Sequence, residues 1–308
     1  MINALIVGYG SVGRRHANIL SKNKFIKKIY ILTAQKKILF DRISSLQELD
    51  TYDIDYIIIA NRTNLHFESL KYIEKNYNNK IILVEKPIYS KFSNLKILKN
   101  KVWVGYNLRF HPGLQLIKRL IKDKIIWSIE IKHSSYLPDW RNSIDYEKSN
   151  SAKKIYGGGV LRELSHELDM INFLFGDIQI NHAYSNKISN LKVDVDDILI
   201  LLGSVMFRKK TAFISLAINF FSRHRDRYII VEGNNISIKI DLFKNTATYL
   251  NNGVLKKIRF SKLSLDQTYI DLHNAILNNI SNASLCSYKE GLDVLKIIDK
   301  IERKYEKK

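Results

Sequence analysis

An apolar run that ends in glycines and passes directly into a helix-like segment opens this chain and leaves few choices of fold. Ala4-Leu5-Ile6-Val7 precede Gly8-Tyr9-Gly10-Ser11-Val12-Gly13, and Arg14-Arg15-His16 begin the amphipathic stretch that follows. The spacing G-x-G-x-x-G between a strand and a helix is the sequence form of a dinucleotide-binding turn. Gly8 turns the chain off the strand, Gly10 removes the side chain that would stand over a pyrophosphate, and Gly13 lets the helix lie close to the sheet. Ser11, Val12 and Gly13 then offer N–H groups at the positive end of a helix dipole.

Up to residue 107, apolar runs alternate with amphipathic segments. Strands are expected at Ala4 to Val7, Lys28 to Leu32, Ile54 to Ala60, Lys80 to Val84 and Val102 to Gly105, and helices from Arg14 to Ser21 and from Leu65 to Asn76. Strands alternating with helices argue for a doubly wound parallel sheet. About 20 residues past the glycines an NAD site carries Asp or Glu for the ribose hydroxyls. Here the chain reads Ile31-Leu32-Thr33-Ala34-Gln35-Lys36-Lys37, without a carboxylate. A hydroxyl at Thr33 followed by the charge of Lys36 suits a 2′-phosphate, so NADP is expected ahead of NAD.

From residue 108 the pattern changes. Helices are expected at Leu114 to Ile121 and Gly159 to Phe175, with strands at Ile125 to Tyr136, Asp197 to Phe207, Thr211 to Phe221, Arg227 to Glu232, Ile236 to Asp241, Thr246 to Leu250 and Val254 to Phe260. Gly233-Asn234-Asn235 and Asn251-Asn252-Gly253 are hairpin signals. The expected architecture is α/β: a dinucleotide-binding domain, 1–107, and an α+β domain, 108–308, with a large, open, mostly antiparallel sheet. Closing helices are read at Thr268 to Asn278 and Ser287 to Lys304, the last of which has the option of packing back on the first domain.

Composition narrows the classes. The one cysteine, Cys286, excludes an intrachain disulfide and suits a reducing cytoplasm. No basic leader of a signal peptide and no run of membrane-span length is expected. The formal net charge of +20 attracts polyanions in general, but the basic residues are spread along the chain and no RNA-binding signature accompanies them. A cationic cleft for a phosphorylated or acidic small molecule is the better match. The histidines and the cysteine show no metal-ligand spacing.

Val84-Glu85-Lys86-Pro87 ends a buried strand, where α/β sheets place ligands, and Pro87 restricts the backbone of Lys86 and admits a cis bond. With the other motifs it makes the chain resemble the Gfo/Idh/MocA family of NAD(P)-dependent oxidoreductases. Gly8 to His16 resembles the family's cofactor turn. Ala60-Asn61-Arg62-Thr63-Asn64-Leu65-His66 resembles the loop after its fourth strand, and Glu85-Lys86-Pro87 is its most specific signature. Val104 to Pro112 resembles its domain crossover, and Gly157-Gly158-Gly159 through His166 and Asp169 its catalytic helix. The resemblance implies hydride transfer to or from a sugar, sugar acid, nucleotide sugar or cyclitol, with Asn61, Thr63, His66, Glu85 and Lys86 among the cofactor contacts. It implies a homo-oligomer, dimer or tetramer, formed through the open sheet.

Oxidising a secondary alcohol needs a base for the hydroxyl proton, and an imidazole such as His166, with an unperturbed pKa of about 6.5, supplies one. Lys86 is suited to hydrogen-bond the oxygen and stabilise developing alkoxide charge. These are the roles the resemblance gives the two residues. The family's Asp four residues before the histidine is missing; Glu163 stands three before, and either Glu163 or Arg162 takes its place. Substrate contacts are expected from Tyr106, Asn107 and Arg109 at the crossover and from Trp140, Arg141, Asp145 and Tyr146 in a polar, aromatic loop. Arg109 or Arg141 would bind a carboxylate or phosphate, or else close a salt bridge. The Pro138-Asp139-Trp140-Arg141 loop and the Ser165-His166-Glu167 run resemble members linked to bacterial surface-glycan synthesis. The competing readings are a cofactor-binding regulator that has lost its chemistry and a polyanion-binding protein.

Overall fold

Uninterrupted Ile and Val runs become the strands at the centre of the first half of the chain, as expected for strands buried on both faces. The elements in order are β1 (Ile2–Val7), α1 (Ser11–Leu20), β2 (Ile26–Leu32), β3 (Asp41–Ile43), β4 (Ile54–Ile59), α2 (His66–Asn76), β5 (Ile81–Val84) and β6 (Lys101–Val104). There follow α3 (Pro112–Leu120), β7 (Ile126–Tyr136), α4 (Val160–Glu163), α5 (His166–Phe175), β8 (Ile178–Asn186), β9 (Ile198–Phe207), β10 (Lys210–Asn219), β11 (Phe221–Gly233), β12 (Ile236–Asp241), β13 (Thr246–Asn251) and β14 (Val254–Arg259). The last are α6 (Gln267–Leu277), β15 (Cys286–Ser287) and α7 (Tyr288–Tyr305). The structure, a computed structural model, describes residues 1–141, 145–260, 264, 266–278 and 284–305.

The chain forms two compact units, Met1–Asn107 with Leu265–Leu295, and Leu108–Ser264 with Lys296–Lys308. The division after Asn107 falls at the crossover motif. The sequence reading places 108–308 in the second domain and leaves its last helix the option of packing on the first; of the described residues, 266–278 and 284–295 group with the first unit. Contacts over such sequence distances leave no local trace.

The first unit holds a seven-stranded sheet in the order β15-β6-β5-β4-β1-β2-β3, parallel throughout except for β15 against β6. The order reverses between β1 and β4, so their carboxyl ends flank a switch-point crevice, where such sheets bind ligands. The crossover from β5 to β6 contains no helix. The buried carboxylate of Glu74, on α2, instead accepts from the Leu98 and Lys99 N–H groups at 2.7 and 2.8 Å and from the Asn100 amide at 2.7 Å.

The second unit holds an eight-stranded sheet in the order β14-β13-β12-β11-β7-β10-β9-β8, antiparallel except for β7 beside β10. Alternation decides its faces. Leu199, Leu201, Ile214, Leu216, Ile229 and Val231 are buried with Leu168, Ile171 and Phe175 of α5. Ile200, Leu202, Met206 and Phe213 are exposed. Trp127 joins them because a register shift where β7 meets the end of β11 brings both Trp127 and Ser128 to the exposed side. The hairpin signals form turns with positive φ at Asn235, Asn252 and Gly253. Strand β8 was not foreseen, nor was the turn at Arg208-Lys209, where non-glycine residues adopt positive φ. Among the described residues no helix is long and apolar enough to cross a membrane.

The helix expected from Gly159 to Phe175 is two helices. Leu164, at φ −99° and ψ 26°, leaves the helical region and separates α4 from α5. Behind that break a buried ion cluster ties α5 to the sheet. Glu167 Oε1 accepts from His133 Nδ1 at 2.9 Å and Arg227 Nε at 2.7 Å, and His133 and Arg227 are directly opposite on β7 and β11. Burial alone would raise the Glu167 carboxyl, but Arg227, then His133 and His166, outweigh it and hold it well below the usual carboxylate range. A depressed carboxyl stabilises the fold above its unfolded pKa of about 4.3 and loses that contribution as pH falls. Glu167→Gln is therefore expected to cost about 3–5 kcal/mol at pH 7 by chemical denaturation, a deficit that shrinks below about pH 4. A deficit independent of pH would show that the ionised carboxylate is not its source.

Candidate active site

At the carboxyl end of β1 the glycine turn is built by steric limits. Gly8 has φ +96°, and a Cβ there would fall 2.5 Å from Asn61 Cα. A Cβ on Gly13 would fall 2.1 Å from the Gly8 carbonyl oxygen, so α1 rests on the turn with no room for a methyl group. Gly10 is the opposite case: no atom lies within 4 Å of its added Cβ. It is the N-cap of α1 and provides no side-chain cap, so the first N–H groups of a ten-residue helix, from Ser11, Val12 and Gly13, face that open space. Asn61 flanks it from the end of β4. Its Nδ2 donates to Ser69 at 3.0 Å, while its buried Oδ1 has no hydrogen-bond partner among the described residues. An open cradle, an uncapped helix start and an orphaned acceptor fit a dinucleotide.

Past β2, Thr33 Oγ1 accepts from the Gln35 N–H at 3.2 Å, and Gln35 is held by Arg14 Nη2 at 2.9 Å and by the Tyr9 carbonyl at 2.9 Å. Gln35 thus stands where an NAD site has its carboxylate, with Arg14 against it and Lys36 exposed beside it. From the sequence, Arg14 is either a phosphate contact or a solvated charge, and Gln35 is not singled out. The signal was available: a basic residue just after the third glycine and an amide two residues beyond Thr33.

Strands β4 and β5 bring the next motifs to the same row of strand ends, and their ladder continues through the Glu85 N–H to the Ile59 carbonyl at 2.9 Å. Thr63 is half-buried in a short 3-10 turn. His66 is buried, with Nδ1 against the Pro87 and Ile88 carbonyls at 3.2 and 3.3 Å and Nε2 against the Asn61 carbonyl at 3.2 Å. Burial holds it below its ordinary value, partly offset by those carbonyls and Glu85. It braces the two loops rather than presenting a donor to a ligand, which corrects its expected cofactor contact. Glu85 is also buried; one oxygen faces His16 Nε2 at 2.9 Å and the other accepts the Lys86 N–H at 3.1 Å. Lys86 is half-buried and the Lys86–Pro87 bond is cis.

The crossover residues need correction. Arg109 is 1% exposed, and its Nε and Nη2 grip the equally buried Asp169 at 2.7–3.1 Å, with the guanidinium over the Phe173 ring. A guanidinium so committed is a structural ion pair and not a receptor for a substrate anion. Asn107 donates to Thr268 at 2.6 Å in a buried contact, and Tyr106 is 1% exposed. Of the loop residues, Trp140, Arg141 and Tyr146 line one cavity with Leu137, Ser149 and Ser151. Trp140 is fixed by its Nε1–H to Ser135 at 3.0 Å and by edge contact with Phe220. Asp145 is outside that group: it caps the next turn by accepting the Glu147 N–H at 3.1 Å.

Beside the triple glycine, Asp196 accepts the Leu161 N–H at 2.9 Å and fixes the start of α4. Arg162 forms a two-pronged pair with Glu302, 2.7 Å for Nη2 to Oε2, so it does not take the place of the missing carboxylate. Glu163, half-buried, ends α4; His166, half-buried, begins α5. The helix break between them means that shared-face spacing does not relate the two.

Residues 2–102 match the model of an oxidoreductase family with an NAD-binding Rossmann fold, GFO_IDH_MocA. Inositol 2-dehydrogenase of Rhizobium meliloti (strain 1021) is 26% identical over 188 residues, which span 56% of this chain and 54% of that protein, so the match covers about half of the relative's length. Among solved structures, levoglucosan dehydrogenase in complex with NADH and L-sorbose superposes with a TM-score of 0.80 at 17% identity, covering 98% of this chain and 96% of that one. The WlbA dehydrogenase from Bordetella pertussis, in complex with NADH and UDP-GlcNAcA, gives 0.77 at 16% identity, covering 98% and 95%. At these identities the superpositions speak for the fold alone.

The glycines make separable predictions. Gly13→Ala forces a clash and is expected to cost about 1–3 kcal/mol in a thermal or urea melt. Gly10→Ala places its methyl in open space, so it is expected to leave the melt unchanged and to abolish NADPH binding in a fluorescence titration. Unimpaired binding by Gly10→Ala would mean that the cradle is not the dinucleotide site.

Proposed function

We propose, from the premise that the chain belongs to the Gfo/Idh/MocA family of oxidoreductases, that it is an NADP-preferring dehydrogenase acting on a secondary alcohol or ketone of a sugar, sugar acid or nucleotide sugar. The observation that carries this reading is the half-buried Lys86 at the end of β5, in the same row of strand ends as the open glycine cradle. Gly8, Gly10, Ser11, Val12 and Gly13 hold the pyrophosphate; Asn61 and Thr63 line the cradle's other wall. Thr33, Lys36 and Arg14 receive a 2′-phosphate, with Gln35 in place of the acid that would repel it. The nicotinamide, when bound, supplies the hydride acceptor or donor. Lys86 hydrogen-bonds the substrate oxygen and stabilises charge developing on it. His166 takes the hydroxyl proton at its imidazole in oxidation and returns it in reduction.

A nucleotide sugar, and with it a place in surface-glycan synthesis, is supported by the fold shared with the WlbA dehydrogenase, solved in complex with UDP-GlcNAcA, and by the exposed guanidinium of Arg141, which suits a phosphate. The partner for the exposed face of the second unit's sheet is a second copy of this chain. Neighbouring strands expose Ile200, Leu202, Met206, Phe213 and Trp127, and a patch of this kind on an oxidoreductase fold is more easily explained by self-association than by isolation in water.

Assays of NADP+ and NAD+ against myo-inositol, levoglucosan and UDP-N-acetylglucosamine test the chemistry. Turnover is expected with at least one, faster with NADP+. Lys86→Ala and His166→Ala are each expected to lower kcat by about 10²–10⁴-fold with NADPH affinity retained. Wild-type rates in both variants, or binding without turnover across the panel, would contradict the assignment. In sedimentation, Phe213→Asp is expected to convert an oligomer to monomer with its melt preserved; a monomeric wild type would refute the second-copy reading.

A further inference from the structure

We propose that Tyr56, His273 and His16 are positioning residues for Lys86: a one-way chain of donated hydrogens locks the Glu85 carboxylate, and that carboxylate fixes the Lys86 backbone. The inference rests on the reading of Lys86 as the residue that hydrogen-bonds the substrate oxygen.

The chain is assembled from four elements of the first unit. The Tyr56 hydroxyl, on β4, lies 2.8 Å from His273 Nδ1 on α6. His273 Nε2 lies 2.8 Å from His16 Nδ1 on α1, and His16 Nε2 lies 2.9 Å from Glu85 Oε1, just past β5. Tyr56, His16 and His273 are 0% exposed and Glu85 is 6% exposed, so no solvent competes for these bonds. The far side of the carboxylate is closed by Gly105, where a Cβ would stand 2.7 Å from Glu85 Oε1.

The direction of the chain follows from what each group can donate. Burial, reinforced by Glu85, pushes the Tyr56 phenol well above its ordinary value, so it keeps its proton. Among the described residues that proton has one acceptor within reach, His273 Nδ1. If Tyr56 accepted instead, a buried hydroxyl hydrogen would be left unpaired at a cost of about 1–3 kcal/mol. Burial holds His273 well below its ordinary value, so it is neutral and its one hydrogen is on Nε2. That hydrogen goes to His16 Nδ1, which must then accept. The His16 hydrogen is therefore on Nε2 and goes to Glu85. Burial opposes ionisation of Glu85, but the hydrogen bond from His16, and then Lys86, hold it below the usual carboxylate range. Its remaining neighbours with titratable groups are Tyr56, His66 and Tyr269.

Each bond thus dictates the next, and the last acceptor is the anion whose second oxygen takes the Lys86 N–H at 3.1 Å. A network in which every member is satisfied is stiff, and a half-satisfied one is not. Removing His273 strips His16 Nδ1 of its donor and frees the His16 ring to present a lone pair to Glu85. The carboxylate then loses its anchor, and the Lys86 backbone with it.

The test compares His273→Leu, His273→Gln and Lys86→Ala in the intact chain, with the sugar and dinucleotide that turn over in the panel above. His273→Leu is expected to lower kcat about tenfold or more with KM for both substrates little changed, since small misplacement of a positioned group costs rate before affinity. The acid limb of its kcat profile is expected to move to higher pH as Glu85 protonates more readily. His273→Gln, whose amide can donate to His16, is expected to recover much of the loss. A core-filling role alone would lower the melting temperature and leave kcat and its pH profile unmoved, and that result overturns the proposal. Imidazole 15N spectra of the wild type test the chain without any substrate and without a folded variant. At about pH 8 both rings are expected to carry their hydrogen on Nε2; an Nδ1–H tautomer at either ring overturns it. Wild-type turnover by Lys86→Ala would instead sink the lysine reading, whatever the His273 variants do.

Discussion

Gly13 touches the carbonyl of Gly8 so closely that an added methyl carbon would stand 2.1 Å from the oxygen. That contact sets where α1 lies against β1, and much else follows from it. The first N–H groups of the helix are aimed over the opening beside Gly10. One turn farther along, the same closeness brings His16 into the interior, within 2.9 Å of a carboxylate at the end of β5. Anion cradle and buried histidine are therefore consequences of one steric constraint, imposed by residues that carry no chemistry of their own.

A chain with a formal charge of +20 keeps its important anions inside. Glu74, Glu85, Glu167 and Asp169 are all buried, and each is partnered differently: by backbone N–H groups, by an imidazole, by an arginine with a histidine on one oxygen, and by a two-pronged guanidinium. A buried carboxylate is tolerable only when its charge is paired or hydrogen-bonded. This explains why Arg109, which sits in a motif that suggests substrate contact, is unavailable for it. Both prongs of that guanidinium are taken by Asp169, whereas Arg141 remains exposed.

The legible parts of the sequence were those whose physics is local. The glycine spacing, the Ile-rich strands and the Asn-Asn-Gly turn each follow from constraints within a few residues, and their structures differ from expectation only at the ends. What escaped needs long-range information. Strand β8 mixes Gln179, Asn181 and His182 with apolar residues and declares itself only by pairing with β9. The Arg208-Lys209 turn uses positive φ without glycine because the strands on either side demand it. His16 and His273 are 257 positions apart, and the one hint is a histidine on the apolar side of each helix. Tyr106, Asn107, Arg109 and His66 are motif residues whose burial no pattern disclosed. Motif membership signals that a position is constrained, and the packing decides whether the constraint is contact with a ligand or support for one.

The central claim is that the strand ends around Gly10 form a dinucleotide cradle whose chemistry begins at Lys86. A crystal structure of the chain soaked with NADPH tests it most directly. The account predicts pyrophosphate oxygens on the N–H groups at the start of α1, the 2′-phosphate beside Thr33 and Lys36, and the nicotinamide at the end that carries Lys86. NADPH seated elsewhere, or reversed so that its nicotinamide lies at Thr33, would contradict it.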